Sequence, residues 1–137
     1  MLFAGWTKPD GHRQTSVDEL WPQIQLHAKR VLEALRRVLT EASRRPAALW
    51  LITSGAQAGI RAPSEVRLDQ APSLGLWRAL RQEYPDLWVG SLDVGVQDTQ
   101  QVASIAEIVL HEREEAELAL VGSQVRVPRL RRRSADP

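Results

Sequence analysis

The chain has 137 residues, of which 43% are hydrophobic, so one folded domain is expected. Charged residues make up 26% with a net charge of +1, which argues against a nucleic-acid or anionic-membrane partner. The lack of cysteine excludes disulfides and thiolate metal sites, and the sequence has no apolar run of about eighteen residues for a membrane-spanning helix, so we expect a cytoplasmic protein.

The first elements along the chain are a short strand and a long helix. Leu2 to Trp6 is an apolar run that ends at the turn residues Lys8 to Gly11. Thr15 and Ser16 offer hydroxyl groups for a helix N-cap, and the regular helix is expected to begin near Pro22, which lacks an amide hydrogen. Its apolar stripe recurs with helical period at Ile24, Ala28, Val31, Leu32, Leu35, Val38, Leu39 and Ala42.

The rest of the chain alternates strands and helices. Ala47 to Ile52 is continuously apolar, as in a strand covered on both faces. Ser73 is a candidate N-cap for a second helix, and Asp98 or Thr99 for a third. The remaining predicted strands are Leu87–Val94, Glu117–Val121 and Gln124–Leu130, the last two joined by a hairpin turn at Gly122-Ser123.

This alternation predicts an α/β fold. We expect a Rossmann-like, mainly parallel sheet with flanking helices and right-handed crossovers, ending in a short strand pair. The prediction divides the chain into a single domain over 1–130 and a basic tail or linker over 131–137.

Three segments resemble one protein family in order and spacing. They read LWLITSGAQA over 49–58, QAPSLGLWRALRQEYPDL over 70–87, and ELALVG with VPRL over 117–130. Together they resemble the structural, non-catalytic half of a ketoreductase domain from a modular type I polyketide synthase. That half usually carries a further strand and helix before the first one found here. The chain is therefore expected to be a truncated form: a fragment, a split protein or a degenerate remnant.

The resemblance implies a scaffold that packs against and positions an NADPH-dependent catalytic half, which reduces a β-keto group on a carrier-bound polyketide. It implies no cofactor on this chain, NADPH on the partner half, and contacts with other synthase domains. An uncovered sheet edge or face also suggests self-association. Two alternatives remain: a small-molecule-binding or enzymatic Rossmann-like domain, and an interaction or docking module of a multienzyme without a reductase partner.

The residues needed for carbonyl reduction do not form a motif. Such a site needs a tyrosine to donate a proton and a lysine to lower the pKa of that tyrosine. Tyr84 is the only tyrosine, and Trp88 rather than a lysine stands four residues later. Lys8 and Lys29 are the only lysines and are distant in sequence. Tyr84 is therefore interpreted as a packing residue, and the chain alone is predicted to be inactive.

The segment Thr53 to Gly59 superficially resembles a dinucleotide-binding loop. Such loops use glycines so that backbone amides approach a pyrophosphate at a helix N-terminus. Arg61 stands where the motif requires a further glycine, and Pro63 follows. We therefore interpret the segment as a turn in which Gly55 adopts a positive φ angle.

The other candidate groups also favour plain structural roles. His12, His27 and His111 lack metal-ligand spacing and are expected to be solvated or hydrogen-bonded. Ser54 lacks the Gly-x-Ser-x-Gly context of a nucleophile. The sequence thus predicts no catalytic, cofactor-binding or metal-binding residue. The basic tail is interpreted as a linker; its arginines are Arg126, Arg129, Arg131, Arg132 and Arg133. The tryptophans are interpreted as core or interface residues: Trp6, Trp21, Trp50, Trp77 and Trp88.

Overall fold

The computed structural model describes residues 16–40, 48–57, 66–95 and 102–129, together with the backbone of 2–3. It contains five strands and three helices within those residues. In chain order they are β1 (Leu2–Phe3), α1 (Val17–Thr40), β2 (Ala48–Ser54), α2 (Ala71–Glu83), β3 (Trp88–Val94), α3 (Val102–His111), β4 (Glu117–Val121) and β5 (Gln124–Arg126).

The five strands form one sheet in the order β1-β2-β3-β4-β5. The first four strands are parallel, and β5 pairs antiparallel with β4. Val121 pairs with Gln124 across a tight turn, where Gly122 has a φ of 58°. The predicted mainly parallel, Rossmann-like sheet with a terminal strand pair is confirmed, as is the hairpin turn.

Side chains alternate between the two sheet faces and divide the core into two clusters. The first cluster joins α1 and α2 to one face through Val31, Leu35, Leu49, Leu51, Ala56, Leu74, Trp77, Leu80, Leu87 and Val89. The second cluster joins α3 to the other face through Trp50, Ile52, Leu92, Val94, Val109, Leu118 and Leu120. Face 1 denotes the face under α1 and α2, and face 2 the face under α3.

The two faces determine the hand of the strand connections. Both β2 to β3 and β3 to β4 step in the same direction along the sheet. Their helices α2 and α3 lie on opposite faces. These two connections therefore have opposite hands, and the expected right-handed crossover does not hold for both.

Several element boundaries differ from the sequence-based prediction. Helix α1 begins at Val17 rather than near Pro22, because Ser16 and Glu19 cap it reciprocally: the Glu19 amide donates to Ser16 Oγ at 3.3 Å and the Ser16 amide to Glu19 Oε2 at 3.4 Å. Helix α2 begins at Ala71, so the expected cap Ser73 lies inside it, buried. Pro72 suits this first turn, where an amide hydrogen is not required.

Other predictions along the chain have mixed outcomes. Strand β5 ends at Arg126 rather than Leu130, which lies outside the described residues. Trp50 and Trp77 are buried core residues as predicted, whereas Trp21 is exposed on α1. The expected caps Asp98 and Thr99 lie outside the described residues, as do Arg131, Arg132 and Arg133 of the basic tail. Of the other arginines assigned to that tail, Arg126 ends β5 and Arg129 forms an ion pair with Glu115.

Candidate functional site

The carboxyl ends of β2 and β3 form the edge of the sheet where open parallel sheets bind ligands. Thr53 and Ser54 at the end of β2 lie beside Asp93 and Val94 at the end of β3. The chain leaves β2 through Gly55, whose φ of 73° confirms the predicted left-handed turn. A candidate ligand site is therefore centred on this turn.

A buried carboxylate fills the centre of the turn. Asp93 is 0% exposed. Its Oδ1 accepts hydrogen bonds from the Thr53 hydroxyl at 2.6 Å and from the Ala56 amide at 2.8 Å. Its Oδ2 accepts from the Gln57 amide at 3.3 Å. Consecutive amides thus converge on an anion that belongs to the protein itself.

This arrangement conflicts with dinucleotide binding at the turn. In a dinucleotide-binding loop, the amides after the first glycine are free to approach a pyrophosphate. Here the Ala56 and Gln57 amides already bind Asp93, so a phosphate would have to displace the carboxylate and lie beside its negative charge. The residues of the turn do not fit a nucleotide phosphate. Gly59 and Arg61, part of the same sequence argument, lie outside the described residues.

The segment before α2 folds back onto the same turn. The Arg67 amide donates to the Gly55 carbonyl at 2.6 Å, and the Ser54 amide donates to Gln70 Oε1 at 3.0 Å. Arg67 also pairs with Asp69, with 3.1 Å between Nη2 and Oδ2. These contacts hold the start of α2 against the end of β2.

Some buried polar atoms at and near this junction have no hydrogen-bond partner among the described residues. They are His27 Nε2, Gln57 Nε2, Gln70 Nε2 and Ser73 Oγ. Burial without a partner is costly for a polar group, so such atoms usually bind water or a ligand, or store strain. Sequence reasoning did not single out Gln57 or Gln70.

Tyr84 and Trp88 both lie in packed surroundings. Tyr84 follows the last turn of α2 and packs against the first core cluster, as predicted. Trp88 packs against Trp50 with 4.8 Å between ring centroids and the ring planes tilted by 34°, and its indole N–H donates to the Arg113 carbonyl at 2.9 Å. Lys29 lies on α1 with its ammonium 3.9 Å from Glu33. Lys8 is outside the described residues.

The histidines differ in their surroundings. His27 is only 9% exposed, and burial lowers its pKa below 6.5, an effect that the nearby Asp69 carboxylate opposes. Helix α1 turns that ring into the core, where Nε2 has no hydrogen-bond partner among the described residues. His111 is exposed, with Nδ1 3.1 Å from the Glu107 carbonyl. His12 lies outside the described residues, within which no group of metal-binding side chains occurs.

Comparison with known proteins identifies the family. Residues 6–130 match the model of the Rossmann fold domain of the polyketide synthase extender module SpnB. The chain belongs to this family. No curated protein and no solved structure matches it. Within the described residues, no helix has the length and apolar character needed to cross a membrane.

The role of Asp93 was also missed from the sequence. Its signal was present, because an aspartate close to the end of an apolar strand is unusual unless its charge is satisfied. The partner turn at Gly55 lies about forty residues earlier, which conceals the contact between them in the sequence.

Proposed function

We propose that this chain is the non-catalytic structural subdomain of a polyketide synthase ketoreductase. In this role it packs against and positions an NADPH-dependent catalytic half. Its membership in a family of Rossmann fold domains from a polyketide synthase extender module supports this proposal. The reductase chemistry and the NADPH would reside on the partner half.

The observation that carries the proposal is the Asp93 carboxylate in the turn after β2. The sheet keeps the glycine turn of a Rossmann-like fold, but the Asp93 carboxylate occupies the turn amides that a phosphate would otherwise bind. The single tyrosine, Tyr84, packs against the first core cluster, which favours a packing role over that of a proton donor for carbonyl reduction. Both features favour a scaffold over a catalyst.

The first test is calorimetric titration of the isolated chain with NADPH. We expect no saturable binding in the micromolar range. A stoichiometric, micromolar binding isotherm would contradict the proposal. The Asp93→Asn variant is a useful companion, because it removes the negative charge while it keeps a hydrogen-bond acceptor in the turn.

The second test uses a ketoreductase catalytic half supplied as a separate polypeptide. We expect it to co-purify with this chain, to raise the melting temperature of the chain, and to reduce a β-ketoacyl thioester with NADPH faster in its presence. A chain with an unchanged melting temperature and no effect on reduction would leave the scaffold role without support.

A small-molecule-binding domain is the second candidate function. The amide nitrogens of Gln57 and Gln70 beside the turn favour it, because neither has a partner among the described residues and both could donate to a neutral polar ligand. Thermal shift assays with uncharged nucleosides and short acyl amides provide the test. A shift that Gln70→Leu abolishes would favour this function over the scaffold.

A further inference from the structure

One stripe of α1 is apolar but lies outside the core. Val17 is 79% exposed, Trp21 58% and Leu32 50%, and Ala28 between them is half-buried. Their successive spacings of four, seven and four residues place all of them along one side of a helix. We call Val17, Trp21, Ala28 and Leu32 the α1 ridge. Scattered apolar residues need no explanation, but an aligned stripe that includes a tryptophan indicates a contact surface.

The ridge is self-complementary. The same spacing is read from either end, so a two-fold axis near the middle of the stripe would align two antiparallel copies. Val17 of one copy would then face Leu32 of the other, and Trp21 would face Ala28. A large side chain opposite a small one allows two helices to approach closely.

The charge of α1 is also divided along its length. Residues 17–28 carry Asp18 and Glu19 and no lysine or arginine, which gives −2 with neutral histidine. Residues 29–40 carry four basic residues and only Glu33 as an acid, which gives +3. Antiparallel pairing therefore sets the acidic half of each helix against the basic half of its mate, and it opposes the two helix dipoles favourably.

One specific ion pair follows from the flank of the ridge. Asp18 follows Val17 and Lys29 follows Ala28, so both side chains lie on the same flank. In the antiparallel pair, Asp18 of one copy comes close to Lys29 of the other. Among the described residues, Lys29 contacts Glu33 at 3.9 Å in an exposed pair, and such a weak contact leaves its ammonium available to a second copy.

We infer that two copies of this chain associate through the α1 ridge in an antiparallel, two-fold arrangement. Among the described residues, α3 also has exposed apolar side chains, Val102 and Leu110. It has Glu107 as its only acid and no lysine or arginine, so no charge pattern indicates what covers it. This pairing joins two copies of the same chain and needs no reductase half. It therefore goes beyond the scaffold role and does not depend on it.

The experiment is sedimentation analysis of the isolated chain over a range of concentrations. We expect a reversible dimer for the wild type, and a dissociation constant raised about tenfold or more by Trp21→Glu, since a buried aromatic anchor commonly contributes over ~1.4 kcal/mol. Leu110→Glu on α3 is the matched control and should leave the dimer intact. Trp21 and Leu110 are both exposed, and circular dichroism of each variant checks that the fold is retained.

A charge swap tests the arrangement itself. Asp18→Lys should weaken the dimer, and Asp18→Lys combined with Lys29→Asp should restore it, because the pair then reforms with reversed signs. A monomer at all concentrations, or a dimer that Trp21→Glu leaves unchanged, would overturn the inference. Loss of the dimer in Leu110→Glu would overturn it in favour of α3. If the α1 ridge becomes buried only when a reductase catalytic half is added, the ridge is the contact surface for that partner instead.

Discussion

Two carboxylates, Asp93 and Glu117, each accept several hydrogen bonds but lie in very different surroundings. Asp93 lies near the end of β3, fully buried, and binds one hydroxyl and two backbone amides. Glu117 begins β4 and binds the Arg78 guanidinium through two hydrogen bonds of 2.8 and 2.7 Å. Arg78 is 57% exposed, so water competes for that pair. On charge alone, the Arg78–Glu117 pair would be expected to be the stronger interaction, because it joins two full opposite charges.

Burial reverses that rating. An exposed ion pair contributes little net stability because water solvates both ions when they separate. A buried donor that loses its acceptor has no such replacement, so the loss costs the full desolvation of each group. The polar contacts that define this fold are therefore the buried ones near the carboxyl ends of β2 and β3, the same contacts that close the turn to an external anion.

Removing the buried carboxylate should have the largest effect. Asp93→Ala leaves the Thr53 hydroxyl and the amides of Ala56 and Gln57 without their acceptor. We expect a loss of about 3–5 kcal/mol in the free energy of unfolding, measured by urea denaturation. Thr53→Val removes one donor and should cost about 1–2 kcal/mol. A loss below ~1 kcal/mol for Asp93→Ala would show that water replaces the carboxylate.

The sequence predicted the strand and helix order because apolar periodicity is local information. It also predicted the positive φ of Gly55 and the hairpin at Gly122, since both follow from glycine stereochemistry. It could not place α3 on face 2, because the hand of a connection depends on packing between distant elements. Nor could it predict that Asp93 meets Ala56, since hydrophobic patterns carry no information on polar pairing across strands.

Two buried tryptophans allow the contribution of a hydrogen-bonded polar group to stability to be measured. The Trp77 indole N–H donates to the Gly90 carbonyl at 2.7 Å, whereas the Trp50 indole N–H is buried without a partner within the described residues. Replacement by phenylalanine removes the N–H and similar volume from both. Trp77→Phe should therefore cost about 1–3 kcal/mol, and Trp50→Phe distinctly less. Equal losses in thermal unfolding would show that packing alone sets both values.

His27 tests the same principle by titration. Its folded-state pKa lies below 6.5 chiefly because burial disfavours the charged ring, aided by Arg30 and Arg67 and opposed by Asp69. The unfolded chain then binds more protons, so stability should fall as the pH drops below about 6.5 and level off below the folded-state pKa. His27→Leu should remove that part of the pH dependence and the unpartnered Nε2 together. An unchanged stability profile between pH 7 and 5 would contradict this account.

The smallest effect is expected at the exposed pair. The hydrogen bonds from Arg78 lower the pKa of Glu117 below 4.5, with a further contribution from Arg81 at 3.9 Å. A lowered carboxyl pKa stabilises the fold above the unfolded-state value, and this stability is lost as the pH falls through the folded-state pKa. Glu117→Gln should lower the free energy of unfolding by only about 0.5–1 kcal/mol at neutral pH, because Arg78 is solvated, and by less in high salt.

Glu33→Gln, which affects the exposed contact with Lys29, is the control and should change the free energy of unfolding little. If Glu117→Gln lowers the free energy of unfolding as much as Asp93→Ala does, independently of salt, then burial does not explain the difference expected between the two carboxylates.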